Sequence, residues 1–322
     1  MNESQQTSAP TSYDDEIDLR ELFRVLWAGK WLIGGITFAA AVISVIVALL
    51  LPNIYRAEAL LAPNQGEAAG GLAALAGQYA GLASLAGLNL GSGSSDNTAL
   101  GLEILKSRKF VSEFIERHEL LVPLMAADGW DAESGELKID SAIYDVSANK
   151  WVREARPPKN TIPSLQEAYK EFSEQVLSIV QDRETGFVTV SVEHYSPVVA
   201  KQWVDWLVQD INSTIMQQDV EEAEQAIEYL KEQIQATSLA GMQSVFFGLI
   251  EEQTKTVMLA KVSDEYLLKT LDPAVAPEEK AKPWRALIVI LSTMLGGIIA
   301  IILAMVFPVS SYRKLPQKVD QP

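Results

Sequence analysis

The chain has 322 residues, of which 48% are hydrophobic and 21% charged, with a mean hydropathy of +0.09 and a net charge of −16; this is more apolar than an ordinary soluble protein of such charge. It has no cysteine and two histidines, His118 and His194, which excludes disulfides, thiolate metal sites, a cysteine nucleophile and a histidine metal cluster. Between Pro52 and Trp284, 19 Lys and Arg stand against 35 Asp and Glu, so the excess acid lies in the middle of the chain. Such a surface repels nucleic acid and anionic headgroups.

Residues 1–15 are polar and read as disordered. After Asp18, the stripe Leu19, Leu22, Phe23 and Leu26 has helical spacing and reads as an interfacial helix, completing an N-terminal segment over 1–31. Residues 32–51 carry no charge and are apolar on all sides, unlike a core helix with one wet face, and they are long enough to cross about 30 Å of hydrocarbon. A cleaved signal peptide fits poorly: the preceding segment is long and acidic, and Ala57-Glu58-Ala59 lies too far beyond the apolar run.

From 52 to 285 the sequence predicts an α+β domain. Tyr55–Leu61 alternates as a strand that stops at Pro63. Gly66–Ser95 is almost entirely Gly, Ala, Leu and Ser, which fits either a loop with a frayed helix or an apolar segment against a neighbouring subunit or lipid. A helix resumes near Leu100 and runs to Arg117, and residues 126–163 read as loops. Ser164 opens a helix with Leu165, Tyr169, Phe172, Val176 and Ile179 on one face, and Glu167 completes a capping-box pattern. A short β run follows Asp182, with Phe187, Val190 and Val192.

Ser196-Pro197 supplies an N-cap acceptor and a first-turn proline. No Gly or Pro then occurs up to about Gln235, and Val199, Trp203, Leu207, Ile211, Ile215, Ile227, Leu230 and Ile234 form an apolar stripe. A helix of that length, on the order of 55–60 Å, outruns a small core. Glu221, Glu222, Glu224, Glu228 and Glu232 make its second half acidic. Ser244–Val262 can return antiparallel after a turn at Leu239-Ala240-Gly241, so the prediction is a protruding helical hairpin over about 197–262 on an α+β base.

The second span is predicted over 286–307, followed by a tail over 308–322. Arg20, Arg24 and Lys30 before the first span outnumber Arg56 beyond it, which puts the N-terminus in the cytoplasm; two spans then put the tail there too, and the acidic domain in the periplasm or outside. Gly296, Ala300 and Ala304 form a small-residue face, and Gly35 with Ala39 a similar one on the first span. These faces either pack the two spans of one subunit or meet a partner in the membrane. Pro273, Pro277 and Pro283 fix an extended approach to the second span.

Motifs for chemistry are missing from the sequence: no phosphate-cradling glycine loop, no Gly-x-Ser-x-Gly elbow and no His-Glu-x-x-His. Glu221-Glu222 and Glu251-Glu252 read as solvated helix faces, and His194 as a packing or surface residue. No cofactor, metal or catalytic residue is expected.

Two stretches carry a resemblance. One runs from Ile17-Asp18-Leu19-Arg20 to Leu26-Trp27-Ala28-Gly29-Lys30-Trp31. The other comprises Ile250–Ala260, Glu265-Tyr266, Leu271-Asp272-Pro273-Ala274-Val275-Ala276-Pro277-Glu278 and Lys282-Pro283. Together they resemble the Wzz-type chain-length determinants, the polysaccharide co-polymerases of bacterial inner membranes. The resemblance implies a non-enzymatic homo-oligomeric ring that acts with an O-antigen-type polymerase on lipid-linked polysaccharide to set its length. It also assigns Pro273, Pro277 and Pro283 to the proline-rich approach, and Gly296 and Gly297 to membrane glycines, Ala300 standing where a further glycine is often found. The competing expectations are a two-span sensor or export adaptor, and a glycosyl-processing enzyme.

Overall fold

The computed structural model describes residues 26–27, 29–64, 93–237 and 239–306, with backbone alone at 93–97 and 240. The interfacial helix after Asp18, the reading of Gly66 onward as loop or contact segment, and the tail over 308–322 lie outside these residues. Two compact units result, one made of the terminal segments up to Leu51 and from Pro283, the other of Pro52–Lys282.

In the first unit, helix α1 (Lys30–Leu50) and, at the far end of the sequence, a helix over Arg285–Val306 are each long and apolar enough to cross a membrane. Their surfaces are greasy in a way water does not tolerate: Phe38, Ile43, Leu49, Ile290, Met294 and Ile302 are all more than half exposed. Each starts one or two residues earlier than the charge-free run predicts, because Lys30 and Arg285 form part of the first turn.

In the second unit, β1 (Tyr55–Pro63) is an inner strand, with Ala57, Ala59 and Leu61 buried on one face. Helices α2 (Gly93–Lys106) and α3 (Arg108–Arg117) replace the single predicted helix: Ser107 interrupts it, capping α3 by accepting the Phe110 amide hydrogen. The short α4 (Leu121–Met125) leads into a region predicted as loop that forms two small hairpins, β2 (Ala127–Trp130) with β3 (Leu137–Ile139), and β4 (Tyr144–Asp145) with β5 (Lys150–Trp151). Each is too short to show a hydrophobic period, and cross-strand contacts such as the edge-on Tyr144–Trp151 pair support it.

Ser164 caps α5 (Leu165–Glu171) by accepting the Glu167 amide, as predicted, but the Glu167 carboxylate turns to Arg153 instead of back to the cap. A π-turn over Phe172–Val176 then ends the helix, and β6 (Leu177–Gln181) begins. Ile179, predicted on the helix face, therefore belongs to the sheet. The turn before β7 (Val188–His194) is made by Asp182, which accepts from Glu184 and Thr185, and by Gly186 at φ +73°, a conformation that disfavours side chains. The main sheet has the order β6-β7-β1 and then β8 (Leu268–Asp272), every pair antiparallel.

Ser196 accepts the Val199 amide and starts α6 (Pro197–Ala236), a helix of 40 residues and so about 60 Å long. Its first half covers the sheet: Trp203, Val204, Leu207 and Ile211 are fully buried with Val188, Val190, Val192, Phe114 and Phe172. Its second half runs along α7 (Ala240–Val262), and together they form the predicted hairpin. Phe246, Ile250, Val257 and Ala260 of α7 recur at helical spacing on its sheltered side, and Ala223 of α6 is buried. At the turn, Gln243 donates to the Thr237 carbonyl at 2.9 Å.

Candidate functional site

The predicted site residues divide between the two units. In the first unit, Gly296, Ala300 and Ala304 of α8 (Arg285–Val306) are buried, and α1 packs against α8. A Cβ at Gly296 would lie 2.5 Å from that of Ala40, while one at Gly297 would sit 3.7 Å from the Thr37 hydroxyl. Gly296 thus permits close approach of the helices and Gly297 has ordinary room. The opposing face of α1 holds Thr37, Ala40, Ser44 and Ala48; the Ser44 hydroxyl is satisfied by the Ala41 carbonyl at 2.8 Å. Gly35 and Ala39 are exposed, and beyond the backbone of its own helix nothing lies within 4 Å of where a Gly35 Cβ would be. The structure brings together the small residues of α8 with Thr37 and Ala40, and leaves Gly35 and Ala39 turned away. Arg285, in the first turn of α8, donates to the Leu51 carbonyl at 3.3 Å.

The prolines belong to an extended stretch. After β8, residues 273–277 have no regular secondary structure, and only Ala274 is buried. Pro273 is exposed and Pro277 and Pro283 are half-buried. A lone bridge between Ile54 and Lys282 ends the stretch within the second unit: the Ile54 amide donates to Lys282 at 3.0 Å, and the Ala281 amide donates to Ile54 at 2.8 Å. The Lys282 ammonium reaches Glu193 of β7 at 2.6 Å. Both ends of the second unit are therefore held to each other.

Three polar groups that sequence reasoning missed hold the root of the hairpin. Asn212 of α6 is 3% exposed; its Oδ1 accepts from the amides of Leu267 and Leu268 at 2.7 and 2.9 Å, and its Nδ2 donates to the carbonyls of Leu268 and Val208 at 3.1 and 3.0 Å. Leu268 stands opposite Pro63 of β1, and Asn212 takes up both of its backbone polar groups together with the Leu267 amide. Asp210 of α6 accepts from Arg117 at 3.0 Å and pairs with His118, also at 3.0 Å, whose ring stacks on Trp206. Asp219 accepts from the Tyr266 hydroxyl at 2.7 Å; burial, then this hydrogen bond, raises the tyrosine pKa. A signal was available: Asp210 and Asn212 flank Ile211 in the apolar half of a helix, where polar residues need partners.

His194 is buried between the N-terminus of α6 and α4. Its Nε2 faces the Pro123 carbonyl at 3.1 Å and its Nδ1 accepts the Ser196 amide at 3.2 Å, which fixes a neutral ring protonated on Nε2. Burial lowers its pKa below the ordinary imidazole value. Arg153 holds Glu167 in a two-pronged pair at 3.0 and 3.2 Å and keeps its carboxyl below the usual range. Among the described residues no group of His, Asp and Glu is placed to hold a metal ion. Each of these polar groups is engaged by backbone or by neighbouring side chains of the same unit.

The chain is similar to a full-length bacterial polysaccharide co-polymerase over 93% of its own length and 100% of that structure, with 14% identity and a TM-score of 0.38. A fragment of WzzB, the polysaccharide co-polymerase from Salmonella Typhimurium, aligns over 71% of this chain and 100% of the fragment, with 11% identity and a TM-score of 0.30. No curated protein sequence matches. Residues 15–118 match the model of the Wzz family, described as chain length determinant protein.

Proposed function

We propose that the protein regulates the chain length of an O-antigen or related polysaccharide, as a non-catalytic co-polymerase that works beside a membrane polymerase. The observation that carries this reading is the match of residues 15–118 to the chain length determinant family. It joins with an architecture of two membrane-length helices bracketing an α+β domain that raises a helical hairpin. In this reading the helices span the bacterial inner membrane, the acidic domain is periplasmic, and several identical subunits form a ring on which lipid-linked glycan is extended.

Within the membrane, the small-residue face of α8 serves the pairing of the two helices in one subunit, since Gly296 abuts Ala40. Contact with the polymerase then falls to surfaces left open, among them the side of α1 that carries Gly35 and Ala39. The extended stretch through Pro273, Pro277 and Pro283 supports the role by holding backbone rigid near the bilayer without ladder partners.

Deleting the gene and resolving surface glycan on a gel tests the reading. Loss of the modal cluster of lengths, with polymer still made and the cluster restored by the full chain in trans, is the expected result. Abolished export, or accumulation of unprocessed lipid-linked units, would instead assign the protein to export or to glycan processing.

A further inference from the structure

The main sheet has two edge strands, and the chain treats them differently. At β8 the backbone groups that point away from β1 are taken by side chains: Asn212 holds the Leu268 amide and carbonyl at 2.9 and 3.1 Å, and the Glu265 carboxylate accepts the Thr270 amide at 2.9 Å. That edge is closed to a further strand. The β6 edge is open. The Asp182 amide donates to the Phe187 carbonyl at 2.9 Å, so the backbone of Asp182 faces β7, and the Ser191 hydroxyl of β7 meets the Ser178 carbonyl at 3.3 Å. Backbone direction alternates along an antiparallel strand. With Ser178, Val180 and Asp182 turned to β7, the amides and carbonyls of Ile179 and Gln181 point outward, and no hydrogen bond reaches these four groups among the described residues.

Sheet edges are ordinarily guarded by a lysine, a proline or a bulge. β6 carries none of these: its residues are Leu177, Ser178, Ile179, Val180 and Gln181, and its register with β7 runs without a shift. Ser178, Val180 and Gln181 are exposed, and β7 and the π-turn before the strand are its main neighbours. On the face of the sheet away from α6, Val180 is 56% exposed and Phe187 36%, which makes an apolar shoulder beside the open groups. An incoming strand would bond to Ile179 and Gln181 and lay every second side chain on that shoulder.

From this we infer that β6 docks an extended segment of a different polypeptide as a fifth strand of the sheet, a segment with basic residues at its ends. Charge selects the occupant. Between Glu171 and Glu184 the acids Glu171, Glu174, Asp182 and Glu184 stand against Arg183 alone, so both ends of β6 are acidic. A second copy has only its own β6 edge to bring, because its β8 edge is closed, and the antiparallel pair would set these acids against one another. A strand flanked by Lys or Arg meets attraction at both ends instead. This inference goes beyond the chain-length reading and does not rest on it.

Full-length protein in detergent micelles is titrated with a dye-labelled peptide of alternating Thr and Val flanked by two Lys at each end, and fluorescence anisotropy is read. Saturable binding is expected, at least tenfold weaker when Glu replaces the flanking Lys. Gln181→Pro removes one outward amide and leaves the ladder to β7 alone, so it should weaken binding at least tenfold; Gln181→Ala keeps that amide and should bind within twofold of the parent. Val180→Lys, which puts a cation on the shoulder, gives a second variant should the proline disturb folding, and it too should bind at least tenfold more weakly. Hydrogen exchange should show the Ile179 and Gln181 amides slowed at least tenfold by the peptide, with Leu268 unchanged. Absent binding, equal binding of the Lys and Glu peptides, or protection away from β6 overturns the inference. So does a high-yield bismaleimide cross-link between copies of Val180→Cys in the native membrane, which would give the edge to a second copy; the natural chain has no other cysteine to confuse it.

Discussion

Asn212→Ala probes the joint between hairpin and sheet. The substitution removes an acceptor from the Leu267 and Leu268 amides and a donor from the Leu268 carbonyl, all in a site where Asn212 itself is 3% exposed. The site is buried, so the three groups are left without partners. The Val208 carbonyl, also a partner, loses little, since the backbone of α6 already engages it. Each of the three orphaned groups costs on the order of 1–2 kcal/mol, so the variant should lose about 3–6 kcal/mol. Urea unfolding of the full-length protein in detergent micelles, followed by tryptophan fluorescence, reads this; Ser213→Ala, one residue on, should stay within about 0.5 kcal/mol. Hydrogen exchange should show the amides of Leu267 and Leu268 losing protection before the rest of the sheet. A loss under about 1 kcal/mol with protection intact would refute the view that this side chain completes the sheet edge.

His194 should make the domain acid-sensitive. Its folded pKa lies below the unfolded value of about 6.5, so the unfolded chain takes up the proton first. Stability is full above the unfolded pKa and falls as pH drops through it, by at most about 1.4 kcal/mol per pH unit; His194→Gln should remove that slope in urea titrations between pH 7 and 5. Gly296→Val should part the two membrane helices, because the Ala40 Cβ only 2.5 Å away is fixed to backbone. The strain is about 1–3 kcal/mol, and an engineered disulfide between Thr37→Cys and Gly297→Cys should form in the parent and fail in the valine variant. Lys282→Ala should cost less than about 1 kcal/mol and lose even that at high salt, since the ammonium is 57% exposed although Glu193 is sheltered.

Long, strongly patterned elements were legible in the sequence. Ser196-Pro197 marked the start of α6, and the stripe through Trp203, Leu207 and Ile211 proved to be the side buried against the sheet. Ser164 was legible as a cap because its role is local. Its partner Glu167 was not, because the pull of Arg153 comes from outside the helix. Ile179 sits at a helical interval from Val176 yet belongs to β6; the pattern cannot foresee a π-turn that ends a helix in mid-stripe. The small hairpins over 127–151 are too short for periodicity, and their support comes from contacts across strands. At the candidate site, spacing identified the small-residue face of α8, but a repeat of small residues on α1 did not reveal which side meets α8. That choice depends on helix rotation, and the structure selects Thr37 and Ala40 over Gly35 and Ala39.

Because Ile54 and Lys282 clasp each other, the acidic domain is a closed loop of chain whose beginning and end are neighbours. Such a module can be lifted out at Pro52 and Lys282 and spliced between a foreign pair of anchors, or its ends joined and new ones opened at an exposed turn such as the one at Gly186, without rewiring the sheet.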